Sequence, residues 1–154
     1  MRKNDQKAKG MVDISGKDNT KRRAVASGEI RLSAAAFSAM LKKGSPKGDI
    51  FEAARVAGVM AAKNTPTIIP YCHPLPLSKV NVSFEINRTK KSVFIKAEVV
   101  CLGQTGVEME ALTAVAAATL TIYDMMKWAD KSMLIAQIML IEKSGGQSGD
   151  YHRK

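Results

Sequence analysis

Residues 79–87 alternate cleanly, with Val80, Val82, Phe84 and Ile86 set against Lys79, Asn81, Ser83 and Glu85. That is the period of a strand with one buried and one wet face. After the polar turn 87–92, Val93, Ile95, Ala97, Val99 and Cys101 repeat it, which predicts an antiparallel hairpin. Thr105-Gly-Val-Glu108 then reads as a capping box opening a helix of about twenty residues, roughly 30 Å long. Its middle, 112–122, is almost all alanine, threonine and aliphatic side chains, which predicts a helix buried on more than one side. Earlier, Ile30 and Leu32 alternate with Glu29 and Arg31 in an extended segment over 24–32. Ser33 caps a short helix to about Lys42 that stops at Gly44-Ser-Pro46. Asp49, with Glu52 three residues on, opens a second helix to Asn64. An apolar run over 133–141 supplies the last strand. The order strand, two helices, hairpin, helix, strand predicts an α+β fold, ferredoxin-like, with helices packed on one face of an antiparallel sheet.

The 154 residues fit a single domain over 11–154. It is preceded by a flexible basic arm, 1–10, carrying Arg2, Lys3, Lys7 and Lys9, and ends in a glycine-rich tail, 143–150. No run approaches the roughly 18 apolar residues of a membrane span, and the first residues lack the apolar core of a secretory signal. Neither a membrane nor export is expected, and the location implied is cytoplasmic. Two cysteines, Cys72 and Cys101, are too few for a disulfide framework. A net charge of +10 and a pI near 9.8 call for an anionic partner, either nucleic acid or nucleotide phosphates. Aromatic residues make up only 5%, a poor supply of base-stacking platforms, and no nucleic-acid motif is present, so no specific nucleic acid is expected.

Polar groups sit at both ends of the long apolar helix, Glu108 and Glu110 at its start and Asp124 and Lys127 at its finish. Asp124 and Lys127 are three apart and share a face, where each can tune the other's protonation; an ordinary surface ion pair has the same spacing. Lys47 lies just before the helix capped by Asp49, where free amides favour an anion. The segment 65–77 holds four of the five prolines, which stiffen the loop around Cys72 and His73 and can hold both side chains still. A structural zinc site needs four ligands, and there is no second Cys/His pair at suitable spacing, so no metal is expected there. Lys17, Lys21, Arg22 and Arg23 read on their own as a solvated charge run. The tail glycines read either as linker or as room for backbone amides to approach a phosphate.

Taken together, MVDISGK, KGDIFEAARVAG, IPYCHPLPLSKV, TGVEMEALTA, LTIYDMMK and EKSGGQSGD, in this order, closely resemble the cyclic pyranopterin monophosphate synthases of molybdenum cofactor biosynthesis. The likeness runs from about Met11 to Asp150. It implies a ferredoxin-like subunit and a homohexamer built as three dimers. The implied substrate is GTP already cyclised between ribose C3′ and base C8 by a radical S-adenosylmethionine enzyme, and the implied products are cyclic pyranopterin monophosphate and pyrophosphate. By motif, the resemblance places the catalytic aspartate at Asp124, with Lys127 beside it and Lys47. It puts substrate-binding positions at Tyr71, Cys72, His73, Met109 and Glu110, adds Glu108 and Lys143 to the same pocket, and makes Lys17 and Arg22 triphosphate contacts. Arg23 is left unassigned. Tyr71 stands where an aliphatic residue is expected. No cofactor is required by this reading, and Mg2+ enters only as a companion of the triphosphate.

Two expectations follow for the chemistry. Crowding among Asp124, Lys127 and Lys47 would bring their pKa values towards neutrality for proton transfer, and Glu110 would accept two donors from a guanine-type edge. Glu110 and Asp124 are fourteen residues apart, roughly 21 Å along a helix. Either the helix begins after Glu110 and the chain folds back, or a symmetry mate completes the site, which is the reading preferred.

Overall fold

The computed structural model describes residues 10–154. The expected mobile arm therefore lies, Gly10 apart, outside the described residues. The elements are β1 (Thr20–Arg31), α1 (Ala34–Lys42), α2 (Ile50–Lys63), α3 (Thr65–Ile68), β2 (Leu77–Asn87), β3 (Ser92–Gly103), α4 (Glu108–Met126), β4 (Leu134–Ser144) and β5 (Tyr151–His152). The strands form one sheet in the order β2-β3-β1-β4-β5, with every neighbouring pair antiparallel. The first four strands have the split arrangement of the ferredoxin-like motif, in which the hairpin's β3 lies against β1.

Each helix start has a local cause. The Ser33 hydroxyl accepts from the Ala36 amide at 3.2 Å and the Asp49 carboxylate from Glu52 at 2.9 Å, caps of about 1 kcal/mol each. The capping box expected at Thr105 does not form. α4 begins at Glu108 with Val107 at its N-cap and no side-chain cap, so the glutamate is two positions too early to reach back, and it pairs with Lys143 instead.

The core lies between the sheet and the long helices. Ala111, Ala114, Val115 and Ala118 of α4 are fully buried, as are Ala24, Ala26 and Ile30 of β1. Small residues let the layers approach: a Cβ on Gly28 would sit 2.7 Å from Val115 Cγ1, and one on Gly58 of α2 would sit 3.1 Å from the Ala114 carbonyl. α4 is thereby pressed onto β1 and α2, which fixes where its two polar ends emerge.

Several boundaries differ from expectation. β1 starts four residues earlier than 24, because Lys21 and Arg23 are strand residues whose side chains point away from the helices. On that helix-free face a row of alternating charge crosses all five strands. Lys79 meets Glu98 at 2.9 Å, Glu98 meets Arg23 at 3.3 Å, Arg23 meets Glu142, and Glu142 meets His152 at 3.4 Å. Arg23 is thus occupied far from the helix ends. The proline-rich segment contains one helical turn, α3, and β4 runs on to Ser144. The glycine-rich tail is not a free end, since the chain returns through it as β5, pairing Glu142 with His152.

Candidate active site

The β3–α4 junction, the proline-rich loop and the segment before β1 enclose a cleft with two lobes. The first, about 440 Å3, is lined by Lys17, Tyr71, Cys72, His73, Met109 and Glu110, among others. The second, about 410 Å3, is lined by Arg22, Gln104, Lys143, Gly146, Gln147 and Ser148, among others. Lys17, Thr105, Gly106 and Glu108 border both lobes. All nine positions expected to bind substrate therefore gather here, although they come from four separate stretches of chain.

The first lobe is the less polar of the two. Glu110 is 3% exposed, and burial, reinforced by the nearby charge of Glu108, pushes its carboxyl up to about 7. It is poised to gain or lose a proton near neutrality, which suits proton transfer better than permanent acceptance of two donors. Burial and the charge of Glu110 also push the Cys72 thiol upwards, keeping it a protonated donor. His73 Nε2 donates to the Val12 carbonyl at 2.7 Å, tying the N-terminal segment down along the lobe. Tyr71 is 64% exposed, so replacing an aliphatic residue there disturbs no packing. Cys101 is buried in the core.

The second lobe is cationic and lined by backbone. Lys143 Nζ lies 3.2 Å from Glu108 Oε1, an ion pair in the wall between the lobes. Arg22 is nearly buried and donates to three main-chain carbonyls: Gly103 at 3.2 Å, Gln104 at 3.2 Å and Gly145 at 3.4 Å. The tail glycines make room for it. A Cβ on Gly146 (φ +88°) would lie 1.6 Å from Arg22 Nη1, and one on Gly145 (φ +93°) would lie 2.1 Å from the Lys21 carbonyl. Here glycine answers a close approach of the chain to itself.

Lys47, Asp124 and Lys127 meet at the opposite end of α4. Asp124 Oδ2 is 2.6 Å from Lys47 Nζ, and Oδ1 is 2.7 Å from Lys127 Nζ. All three side chains are about half exposed. The protonation of Asp124 and Lys127 runs opposite to expectation. The ammonium of Lys127, and then that of Lys47, hold the Asp124 carboxyl down to about 2, and Asp124 in turn raises Lys127. Opposite charges in contact favour both ionised forms, and on these half-exposed side chains that attraction outweighs desolvation. Because α4 is helical from Glu108 onward, the chain does not fold back between Glu110 and Asp124. None of the three triad residues lines either lobe. Among the described residues no three His, Cys, Asp or Glu side chains group to hold a metal.

The MoaC family model matches residues 11–146. The chain belongs to the MoaC family. Its relatives include the cyclic pyranopterin monophosphate synthase of Thermoanaerobacter sp. (strain X514), 49% identical over 98% of this chain and 96% of the relative. That of Listeria monocytogenes serotype 4a is 49% identical over 96% and 92%, and that of Nocardioides sp. is 51% identical over 93% and 88%. The chain brings to its cleft several polar residues that pattern did not assign to the site: Thr20, Gln104, Thr105, Gln147 and Ser148. Thr20 opens β1 and the others lie between elements, where no periodicity marks them. Only Gln104 carried a usable signal, a long amide at a strand-to-helix junction. No helix among the described residues is long and apolar enough to cross a membrane.

Proposed function

We propose that the chain converts the 3′,8-cyclised GTP intermediate into cyclic pyranopterin monophosphate and pyrophosphate, in the cytoplasm and downstream of a radical S-adenosylmethionine GTP cyclase. The observation that carries this reading is the two-lobed cleft, with a buried carboxyl poised near neutrality at one end and the cations Lys17 and Lys143 at the other. The base-derived part of the substrate enters beside Glu110, Cys72 and His73, and the triphosphate extends past Lys17 towards Lys143 and the tail, where positive charge meets the leaving pyrophosphate. Mg2+, where present, arrives with those phosphates. The test is pyrophosphate release from the cyclised intermediate by the purified chain with no other protein added. Release at the rate of the buffer blank would overturn the reading.

Lys17→Ala is expected to raise KM more than it lowers kcat. The ratio of variant to wild-type KM should shrink as salt rises, because screening removes the wild-type advantage. A KM equal to wild type at low salt would remove Lys17 from the triphosphate path.

The triad belongs to the same reaction through a second subunit. Roughly 21 Å of helix separates Asp124 from Glu110, and their contact holds Asp124 and Lys127 far from neutrality. A partner surface that covers the triad desolvates Lys127 and lowers its affinity for protons. Two-fold pairing would form two such composite sites per dimer, and three dimers the homohexamer. Mixing Asp124→Asn subunits with Glu110→Gln subunits under exchange should then restore activity, since some mixed dimers pair two intact halves, towards one working site in two. Activity that stays at the parental level despite proven exchange would show that no site is shared.

A nucleic-acid-binding module is the rival, resting on the charge of +10 alone. Tight, sequence-dependent binding at physiological salt would favour it, whereas weak binding that collapses with salt is the generic charge effect.

A further inference from the structure

Three separate segments wall the cationic lobe, and a single short chain of hydrogen bonds joins them. Gln104 Nε2 donates to the Lys17 carbonyl at 2.8 Å. The carbonyl of the same Gln104 accepts from Arg22 Nη2 at 3.2 Å, and Arg22 reaches on to Gly103 and to Gly145 across the lobe. Gly145 N donates to Asp150 Oδ1 at 3.1 Å, closing the tail loop before β5. The strap before β1, the β3–α4 loop and the tail are thereby held in one frame.

We infer that Gln104 is a positioning residue for the triphosphate end of the substrate: by gripping the backbone of Lys17 it fixes that ammonium between the two lobes, and Arg22 holds Gln104 in turn. The inference rests on the synthase reading and deepens it. Lys17 lies in an exposed segment outside regular structure, and among the described residues its backbone has one other hydrogen bond, from its amide to the Ile14 carbonyl at 3.0 Å, which is local to that segment. Gln104 is the side chain that ties its carbonyl to the body of the protein. Without that tie the strap keeps its anchor at Val12, held by His73, but the stretch around Lys17 is loosened, so ordering it falls on the binding step and weakens affinity for the anion. Arg22 is suited to its part because a guanidinium presents several donors in a fixed fork, which a lysine cannot match.

A residue that acts through Lys17 has no independent effect once Lys17 is gone. The experiment is a double-mutant cycle with Gln104→Met and Lys17→Met, read as kcat and KM for the cyclised intermediate and as Kd for inorganic pyrophosphate by calorimetry. Gln104→Met should raise KM and the pyrophosphate Kd about fivefold, the weight of one hydrogen bond, with kcat within about twofold of wild type. In the Lys17→Met background the same change should have no further effect. The melting temperature of Gln104→Met should stay close to that of wild type, since the side chain is only half-buried in a loop. Additive effects, a loss confined to kcat, or a wild-type chain that binds no pyrophosphate would each overturn the inference. Pyrophosphate binding is measured without turnover, so failure here is distinguishable from failure of the synthase reading, which the wild-type reaction alone decides.

Discussion

Asp124→Asn is expected to lower kcat by about 10²- to 10⁴-fold, the weight of a positioned proton-transfer group, and Lys127→Ala to do the same. The two act as a unit. Asp124 touches both Lys47 and Lys127, so the asparagine leaves two neighbouring ammonium groups without the charge that aligns them. Neither change should unfold the protein, since these side chains are about half exposed at the end of α4, beyond its buried alanine stretch. The carboxylate's own contribution to stability is present above its ordinary pKa of 3.8 and is lost as pH falls through about 2, well outside the assay range. Single-turnover kinetics beside a thermal melt at neutral pH separate the two properties. Near-normal turnover in both variants would remove the triad from the mechanism, and a collapsed melt would make it structural.

Glu110→Gln is expected to move stability and activity in opposite directions. Burial raises this carboxyl from 4.5 to about 7, so between those values the folded chain holds a proton that the unfolded chain has released. Its stabilising contribution is complete below about pH 4.5 and is lost as pH rises through about 7. Above that, the fold carries a buried charge costing about 3 kcal/mol. The neutral amide avoids that cost. Denaturant unfolding should therefore show Glu110→Gln more stable than wild type at pH 8 by up to about 3 kcal/mol and equal to it near pH 4. Turnover should fall and lose its dependence on pH around 7. Equal stability at both pH values would mean that Glu110 titrates as an ordinary carboxyl and is not the proton-transfer group of the first lobe.

The fold was legible wherever one face of an element was uniformly apolar. The hairpin's alternation and the alanine-rich centre of α4 gave their partners and burial directly, and element order gave the sheet. Less legible were boundaries set by partners distant in sequence. β1 and β4 overrun their apolar stretches because Arg23 and Glu142 pair with each other and with neighbours across the helix-free face. The helix start after Thr105 was misread because Glu108 is held by Lys143, thirty-five positions away, and not by its own N-cap. At the site, the resemblance named the residues, but neither spacing nor motif could say that Asp124 and its lysines are about half exposed and that Asp124 and Lys127 drive each other away from neutrality. Nor could it say that Arg22 spends its donors on carbonyls, since both depend on exposure and on loops that carry no period.

The central claim is a coupled rearrangement, and its most direct test is to give the purified chain the 3′,8-cyclised GTP intermediate and quantify the pterin and pyrophosphate formed in the same reaction. The account predicts both, in a one-to-one ratio throughout the time course. Pyrophosphate without pterin would mean a triphosphate-cleaving activity of another kind, and the appearance of neither would contradict the assignment outright.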